Sequence, residues 1–340
     1  MKAAVYYSNR DVRIEEMPIP GIGAGEVLLK VEASGICGSD VMEWYRVKKA
    51  PLVLGHEVAG TVERVGTGVE RFNAGDRVTV AHHVPCNTCR YCLRGEHSVC
   101  DTLRSTNFYP GGFAEFVRVP AINVDRGTFL LPDALGFDEA TFSEPLGCVV
   151  RGFRKAGMEA GKSVLVLGSG ISGLLHIKLA RVLGASSVIA TDINDARLDA
   201  AVGSGADHAL KADTDVPSRV RELLGRPADI VVLTVAKAPV IDQALGSVDR
   251  GGTVLFFAPL EPDVTHPVPL FDLWRDNVTM ANTYASPPFD TMVALDLLGG
   301  GREDVSDMIT HTLPLAEAAE GFRLVAEAGE SIKVILKPHG

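Results

Sequence analysis

The chain has 340 residues, of which 46% are hydrophobic and 22% charged, so it can bury a sizeable core and is long enough for two domains. The net charge of −10 argues against nucleic acid or an anionic membrane as partner, because no Lys/Arg run is longer than Lys48-Lys49. The N-terminus lacks the apolar core of a signal peptide, and no apolar stretch approaches the ~20 residues that span a bilayer. We therefore expect a cytoplasmic protein.

Up to about residue 145, short runs rich in Val and Ile alternate with Gly, Pro and Asn/Asp. Such runs are typical of strands that are separated by turns. The predicted strands cover residues 26–31, 58–65, 76–80 and 114–119. This part of the chain is predicted to be an irregular all-β unit.

Candidate ligands for a catalytic metal lie in three separate segments, at Cys37, at His56-Glu57 and at Glu144. Thiolate, imidazole and carboxylate all bind zinc, and three of them with one water form an open catalytic site. Each residue also has a structural interpretation: a small buried Cys37, a core His56, and a helix cap at Glu144 before Pro145. Spacing alone does not show that the segments converge.

Four cysteines are crowded into one loop, Cys86, Cys89, Cys92 and Cys100. The spacing C-x2-C-x2-C-x7-C allows all four thiolates to bind one tetrahedral zinc ion, which leaves no open position and predicts a structural site. A redox-active pair is the alternative, but it needs only two cysteines. Two disulfides are less consistent with a reducing compartment.

After residue 145 strands alternate with helices. Apolar runs predict strands over 163–167, 187–191, 229–235 and 253–257, and helical spacing predicts a helix over 171–183. The final residues, 331–337, again resemble a strand. This alternation predicts βαβ units and a doubly wound parallel sheet.

The first turn of this region, Gly168 to Gly173, reads G-x-G-x-x-G between a predicted strand and a predicted helix. Its glycines permit a tight turn and close approach of a pyrophosphate to the helix N-terminus, and Asp192 ends the next strand, where a carboxylate binds ribose hydroxyls. A plain βα turn is the alternative. An acid here repels a 2′-phosphate, so NAD is favoured over NADP, a preference that Arg197 could soften. The predicted cofactor-binding residues are Gly168, Gly170, Ile171, Ser172, Gly173, Asp192 and Arg197.

Together these motifs resemble the zinc-containing medium-chain alcohol dehydrogenase superfamily over the full length of the chain. The stretch Gly55-His56-Glu57-Val58-Ala59-Gly60, continued by Gly66 and Val69, is similar to the zinc motif of that superfamily. Cys37, the four-cysteine loop and the glycine turn follow in the expected order. Glu144-Pro145-Leu146 resembles the polyol (sorbitol-like) dehydrogenase branch, since simple alcohol dehydrogenases usually have cysteine where Glu144 stands.

The resemblance implies an α/β protein with a GroES-like irregular β-barrel catalytic domain, residues 1–148 and 286–340, and a Rossmann NAD-binding domain, residues 149–285. It implies two zinc ions per chain, one catalytic and one structural. Cys37 and His56 would bind the catalytic zinc directly, and Glu57 and Glu144 directly or through a zinc-bound water. Ser39 would take the proton of the alcohol. A homodimer or homotetramer is also implied.

One position departs from the polyol branch. Members often have a histidine five residues after the zinc cysteine, where this chain has Met42. Because methionine cannot carry a proton, we expect proton release through a water or through Glu43. Cys148, one helical turn after Glu144, is interpreted as a helix residue packed in the interior, with an approach to the metal as the alternative.

The substrate pocket is the least specific part of the sequence. Asn282-Thr283-Tyr284 lies where the family brings its last sheet strand toward the active site, and Trp44, Tyr45 and Trp274 are candidates for stacking on a sugar. All six residues could equally be ordinary packing or surface residues. The Arg-Tyr pair that is typical of sorbitol dehydrogenases is not evident.

Three functions follow as hypotheses. The first is zinc-dependent, NAD-linked oxidation of a secondary alcohol of a polyol, sugar or cyclitol to a ketone, in primary metabolism or in natural-product biosynthesis. The second is a simple or amino-acid-derived alcohol dehydrogenase, against whose simple-alcohol form Glu144 argues. The third is a non-catalytic NAD(H)-binding sensor, which the intact set of candidate ligands disfavours.

Overall fold

The computed structural model describes the whole chain, Met1–Gly340, and divides it into two compact units. Unit 1 contains Met1–Gly147 and Ala285–Gly340, and unit 2 contains Cys148–Tyr284. The first unit is thus built from both ends of the chain and the second from its middle. None of the helices is long and apolar enough to cross a membrane.

Sixteen strands and twelve α-helices are numbered separately along the chain. The strands are β1 (Lys2–Ser8), β2 (Asp11–Glu16), β3 (Val27–Gly35), β4 (Leu52–Val53), β5 (Glu57–Val65), β6 (Arg77–Val80), β7 (Phe116–Val119), β8 (Thr128–Leu130), β9 (Ser163–Leu167), β10 (Ser187–Asp192), β11 (His208–Lys211), β12 (Ala228–Leu233), β13 (Val248–Phe256), β14 (Thr279–Asn282), β15 (Ile309–Pro314) and β16 (Lys333–Lys337). The helices are α1 (Glu43–Arg46), α2 (Asp101–Ser105), α3 (Ala121–Gly127), α4 (Phe137–Ala140), α5 (Ser143–Ala156), α6 (Ile171–Val182), α7 (Asp195–Gly203), α8 (Val216–Leu224), α9 (Ala238–Ser247), α10 (Leu270–Arg275), α11 (Pro288–Gly299) and α12 (Ala318–Glu327).

Unit 1 is largely β-structure. A seven-stranded sheet runs in the order β15-β16-β3-β5-β6-β8, with β7 beside β3, and a three-stranded sheet runs β2-β1-β4. The apolar side chains of β3, β5 and β6, among them Val31, Val58 and Val78, are fully buried in one cluster. The C-terminal strand β16 pairs with β3 through Ile335 and Gly35, which ties the end of the chain to its beginning.

Unit 2 is a six-stranded parallel sheet in the order β11-β10-β9-β12-β13-β14. The central strand β9 is buried at all five positions, as expected for a parallel strand covered on both faces. The order reverses between β9 and β12, which creates the crevice at the carboxyl ends of the strands where such sheets bind ligands.

The predicted fold class, α/β with a β-rich domain and a doubly wound sheet, is confirmed. The strand over 163–167 has the predicted bounds, whereas β13 starts at Val248, five positions before the predicted 253. The residues Asp249-Arg250-Gly251-Gly252 are polar residues and glycines. Because Asp and Gly are uncommon in strands, the sequence does not indicate where this strand begins. The predicted domain boundaries, after residues 148 and 285, each lie one position from the boundaries of the two units.

Candidate zinc and cofactor sites

The sheet of unit 1 brings Cys37, His56 and Glu57 together. Cys37 follows the end of β3, and His56 immediately precedes β5, which pairs with β3 so that Glu57 lies opposite Gly35. One ligand atom of each of the three side chains lies within 4.8 Å of the others. The antiparallel register of two strands therefore creates the convergence that spacing does not reveal.

Asp40 supports this cluster, a role that was not predicted from the sequence. Its carboxylate is fully buried; Oδ2 accepts a hydrogen bond from the backbone N–H of Cys37 at 3.1 Å, and Oδ1 lies 3.4 Å from Nδ1 of His56. Binding one ring nitrogen of a histidine to a carboxylate orients the ring and leaves Nε2 for a metal. The feature of the sequence that could have indicated this role is an acidic residue three positions after a candidate ligand cysteine.

The charges of Asp40 and His56 reinforce each other. Burial disfavours the ionised carboxyl of Asp40, but His56 and Arg46 outweigh this and lower its pKa. Burial likewise opposes a charged His56, yet Asp40 and Cys37 together raise the pKa of the imidazole well above its ordinary value. In the metal-free protein the cluster therefore holds a proton that a bound metal would displace.

Glu57 forms a buried ion pair that the sequence did not predict. Its carboxylate accepts a hydrogen bond from Nζ of Lys333 in β16, and both side chains are essentially inaccessible to solvent. Nζ of Lys333 also lies 5.2 Å from the centre of the Phe142 ring. A Cβ atom at Gly35 would overlap both charged groups, so only glycine leaves room for the pair at this position.

These residues fit a catalytic zinc ion. A thiolate, an imidazole and a carboxylate are three ligands of types that zinc prefers. The carboxylate of Asp40, which is not one of these ligands, lies beside the imidazole of His56 and orients it. Glu144, the other predicted ligand, lies in the first turn of α5 and is not a member of the three-residue cluster, so its role in binding zinc stays a prediction. Cys148 lies on the same helix and is partly exposed.

Two further histidines lie beside the cluster and were not singled out from the sequence. The ring of His82 lies 4.8 Å from the ring of His56, and the ring of His83 lies 3.9 Å from that of His82. Burial and the neighbouring His83 lower the pKa of His82 well below its ordinary value, so this ring stays neutral. His82 is therefore a polar, uncharged neighbour of a predicted metal ligand.

The four-cysteine loop has the geometry of a closed zinc site. The Sγ atoms are separated by 3.9 Å between Cys86 and Cys92, 3.5 Å between Cys89 and Cys92, and 3.7 Å between Cys86 and Cys100. Zinc–sulfur bonds of about 2.3 Å in a tetrahedron place sulfur atoms about 3.8 Å apart. These distances fit one zinc ion, and all four cysteines are free thiols rather than disulfides.

Backbone amides point at these sulfurs. The N–H of Cys89 donates to Sγ of Cys86 at 3.2 Å, and the N–H of Cys92 donates to Sγ of Cys89 at 3.5 Å. Hydrogen bonds from Thr88 and Cys89 lower the pKa of the Cys86 thiol to about 5, whereas burial raises the pKa of Cys92 to about 12. Hydrogen bonding of this kind favours the thiolate form that binds metal.

In unit 2 the glycine turn joins β9 to α6. Gly168 has a positive φ of 100°, which favours glycine, and α6 begins at Ile171 with Ser172 in its first turn. A Cβ atom at Gly173 would overlap the carbonyl oxygen of Gly168, so the helix can approach the strand this closely only with glycine there. Gly170 is the N-cap, and no side chain caps the helix. The N–H groups of the first turn are thus available to a pyrophosphate.

Asp192 ends β10 next to this turn. Its Oδ2 accepts a hydrogen bond from the N–H of Ser169 at 2.8 Å, and its Oδ1 accepts one from the N–H of Asn194 at 3.0 Å. The carboxylate is therefore held at the tip of the strand beside the glycine turn. A Cβ atom at Gly170 would lie 3.8 Å from Nη1 of Arg197, a residue of α7.

The predicted pocket residues are divided between the units. Trp44 lies half-buried in α1 of unit 1, whereas Asn282, at the end of β14, and Tyr284 are exposed residues of unit 2. Trp274 is 77% exposed on α10. A shared role for these residues in substrate binding stays a prediction.

Known proteins are similar to this chain along its length. Residues 23–128 match the family of the alcohol dehydrogenase GroES-like domain, and residues 172–298 match the zinc-binding dehydrogenase family. Sorbitol dehydrogenase of Gallus gallus is 32% identical, covering 98% of this chain and 96% of the relative. The L-threonine 3-dehydrogenase of Bacillus velezensis is 35% identical, covering 99% of both chains. The solved alcohol dehydrogenase TADH from Thermus sp. ATN1 aligns with a TM-score of 0.88 at 32% identity, covering 99% of both chains.

The chain belongs to the zinc-containing medium-chain alcohol dehydrogenase superfamily. Within it, the chain belongs to the polyol dehydrogenase branch. The protein is therefore a zinc-dependent alcohol dehydrogenase that works with a nicotinamide dinucleotide. Membership confirms the predicted resemblance, and it disfavours the hypothesis of a non-catalytic sensor.

Proposed function

We propose that this dehydrogenase oxidises a secondary alcohol of a polyol, sugar or cyclitol to a ketone and transfers the hydride to NAD. The observation that carries the proposal is the cluster of Cys37, His56 and Glu57, in which a thiolate, an imidazole and a carboxylate converge beside a buried supporting acid. The likeness to sorbitol dehydrogenase favours a polyhydroxylated substrate.

The chain's own residues have distinct parts in this proposal. Zinc, when bound by Cys37 and His56 with Glu57 or Glu144, supplies Lewis acidity that lowers the pKa of the alcohol. Asp40 fixes the orientation of the His56 ring. Lys333 balances the charge of Glu57, and both side chains are buried. Ser39 takes the alcohol proton while its own hydroxyl proton passes to water.

Asp192 supports NAD as the preferred dinucleotide. Its carboxylate lies at the end of β10 beside the glycine turn, where it can accept hydrogen bonds from ribose hydroxyls. The same negative charge would repel the 2′-phosphate of NADP. The conformation of the turn, with Gly168 and Gly173 in close contact, provides the phosphate site.

An amino-acid-derived alcohol is the second candidate substrate class. The 35% identity to an L-threonine 3-dehydrogenase favours it, because L-threonine has its hydroxyl group next to other polar groups. The two candidates differ in what surrounds the reacting carbon: hydroxyl groups in a polyol, and an ammonium and a carboxylate in threonine.

A substrate panel tests the proposal. The zinc-loaded enzyme is mixed with NAD and with sorbitol, xylitol, galactitol, a cyclitol, an aminoglycoside, L-threonine or ethanol, and NADH formation is followed by absorbance. We expect kcat/KM to be highest for a polyol, sugar or cyclitol. Preference for L-threonine would favour the second candidate, and preference for ethanol would contradict both.

We also propose a cytoplasmic homodimer or homotetramer that is formed through unit 2. Leu270, Phe271 and Trp274 are 67–77% exposed on α10, which is followed by the edge strand β14. Exposed apolar side chains beside an unpaired strand edge are typical of an association surface. Light scattering of wild type and Trp274→Glu tests this: we expect the variant to have the lower mass, and an unchanged mass would contradict the proposal.

A further inference from the structure

Arg46 binds the candidate proton-accepting serine at two points. Its Nε donates a hydrogen bond to the carbonyl oxygen of Ser39 at 2.8 Å, and its Nη2 donates one to the Ser39 hydroxyl oxygen at 3.1 Å. The planar guanidinium group thus spans the backbone and the side chain of one residue. Such a two-point contact fixes orientation as well as distance.

The guanidinium group is itself held in place. The side chain of Arg46 is 15% exposed, and its Nη2 lies 3.5 Å from Oδ1 of the buried Asp40. It also lies 4.8 Å from the centre of the Tyr45 ring, whose hydroxyl accepts a hydrogen bond from Lys49. Arg46 therefore links Ser39 to the same carboxylate that orients His56.

Arg46 is located in the segment where the chain departs from its branch. Met42 occupies the position at which polyol dehydrogenases often have histidine, and Arg46 follows one turn later at the end of α1. A histidine can accept a proton, whereas a guanidinium group only donates hydrogen bonds and keeps its charge at every relevant pH. The neighbour of the Ser39 hydroxyl in this chain is therefore a permanent cation.

This contact restricts what the hydroxyl of Ser39 can do. One lone pair of its oxygen is occupied by Arg46. The other lone pair and the hydroxyl proton remain for a substrate oxygen and for water. In addition, a fixed positive charge beside the hydroxyl favours the negative charge that the substrate oxygen gains when the alcohol is deprotonated.

We propose that Arg46 is a positioning residue of the active site, which fixes the Ser39 hydroxyl for the substrate oxygen and favours the deprotonated alcohol by its charge. The proposal rests on the role of Ser39 in the proposed function, but not on the identity of the alcohol. Arg46 acts through Ser39 and does not itself contact the substrate.

A double-mutant cycle tests this with whichever alcohol the wild-type enzyme oxidises fastest. We expect Arg46→Met to lower kcat about 10- to 100-fold with little change in KM, as does Ser39→Ala, and the double variant to be no slower than Ser39→Ala. Arg46→Lys keeps the positive charge but can form only one of the two hydrogen bonds to Ser39, so its kcat should lie between those of Arg46→Met and wild type. Independent, multiplicative losses in the double variant would overturn the proposal, as would an unchanged kcat in Arg46→Met.

The stability of the metal-free protein provides a readout apart from turnover. Since the contact does not depend on zinc, Arg46→Met and Ser39→Ala should each lower Tm by ~2–4 °C, and the double variant by less than the sum. Additive shifts would show that the contact is not formed. Zinc content should stay at the wild-type value in every variant; loss of zinc in Arg46→Met would assign the residue to the metal site instead.

Arg13→Met is the matched control. Arg13 also pairs with an aspartate, Asp11, and also lies over a tyrosine ring, that of Tyr7, but on the exposed strand β2. We expect it to leave kcat unchanged. If the polyol proposal fails because another alcohol is preferred, this cycle is still measured with that alcohol, so the two failures remain distinguishable.

Discussion

Unit 1 contains two candidate metal sites that are encoded in different ways. In the four-cysteine loop, Cys86 and Cys100 are 14 positions apart, and the backbone amides of the loop bind its own sulfurs. The other site is the catalytic cluster of Cys37, His56 and Glu57. Here Glu57 and its partner Lys333 are 276 positions apart and meet only because β16 joins the sheet. A local motif thus fixes a closed site, whereas an open site with supporting charges depends on the whole fold.

This difference has a physical reason. A closed zinc site needs only four ligands of one type, which a short loop can supply. An open site must also orient its ligands, exclude water and neutralise charge, and these tasks fall to residues on other elements. Substitutions in the two sites should therefore have different consequences for turnover and for folding.

The largest difference is expected between Cys37→Ser and Cys92→Ser. Cys37→Ser removes a proposed ligand of the catalytic zinc, so zinc should fall from two ions to one per chain and turnover about 10,000-fold, which corresponds to ~5 kcal/mol of lost transition-state stabilisation. Cys92→Ser removes the buried sulfur of the closed site, so the second zinc and the fold of the loop should be lost together. Zinc analysis, NADH formation and thermal melting measure these effects.

Dinucleotide binding provides the control for Cys37→Ser. The glycine turn belongs to unit 2, so NADH affinity should be unchanged in Cys37→Ser. A Cys37→Ser enzyme that kept two zinc ions and full turnover would show that the catalytic metal lies elsewhere. A single zinc ion in wild type would contradict the two-site interpretation.

The buried pair between Glu57 and Lys333 should have the next largest effect. Lys333→Met leaves the carboxylate of Glu57 buried without its cation, so the free energy of unfolding should fall by about 3–4 kcal/mol. The double variant Glu57→Gln/Lys333→Met removes both charges and should lose less. Urea unfolding of the metal-free wild type, Lys333→Met and the double variant measures these differences.

Lys337→Met is the matched control for this pair. Lys337 lies on the same strand and pairs with Asp138, but both side chains are about 30% exposed. Its loss should cost at most about 1 kcal/mol. Equal effects of Lys333→Met and Lys337→Met would contradict the importance of burial for the catalytic cluster.

The same distinction explains what the sequence predicted well. The bounds of β9, the glycine turn and the four-cysteine loop could be predicted because each depends on residues close in the chain. The candidate ligands Cys37 and His56 could each be identified from the sequence, but only a family resemblance implied that they converge. The register that joins them, between β3 and β5, is not visible in spacing.

The supporting charges could not be predicted for a related reason. A lysine such as Lys333 normally indicates an exposed face, and its complete burial follows from the pairing of β16 with β3 and from the presence of Glu57. Asp40 and Arg46 are short-range neighbours of Cys37 in the chain. Their roles depend on side-chain directions in a turn and in α1, which residue types alone do not determine.

The stability of unit 2 should depend on pH through His176. Its side chain is fully buried in α6 between Phe153 and Phe257, and burial lowers its pKa to about 4. Between pH 6.5 and 4 the unfolded chain binds a proton that the folded chain does not, so stability is full above pH 6.5 and decreases as the pH falls toward 4. The loss between pH 7.5 and 5 should be ~2 kcal/mol.

Urea unfolding of wild type and His176→Leu at pH 7.5 and 5 measures this contribution. The variant should lose about 2 kcal/mol less than wild type over this range, because it has no imidazole to protonate. His208→Leu, at a partly exposed histidine of the same unit, is the control. If wild type and His176→Leu lost the same stability, the pH dependence would have to come from unit 1, where His82 and His83 also have lowered pKa values.

The smallest expected effect concerns the choice of dinucleotide, which a single strand end in unit 2 should control. Asp192→Asn keeps the shape of the side chain and an oxygen for the N–H of Ser169, but it removes the negative charge. The ratio of kcat/KM for NAD to that for NADP should fall about tenfold, which corresponds to ~1.4 kcal/mol. Asp195→Asn, an exposed neighbour paired with Lys211, should leave the ratio unchanged. An unchanged ratio in Asp192→Asn would mean that Arg197 or another group selects the dinucleotide, and that this local motif specifies the phosphate site but not the cofactor.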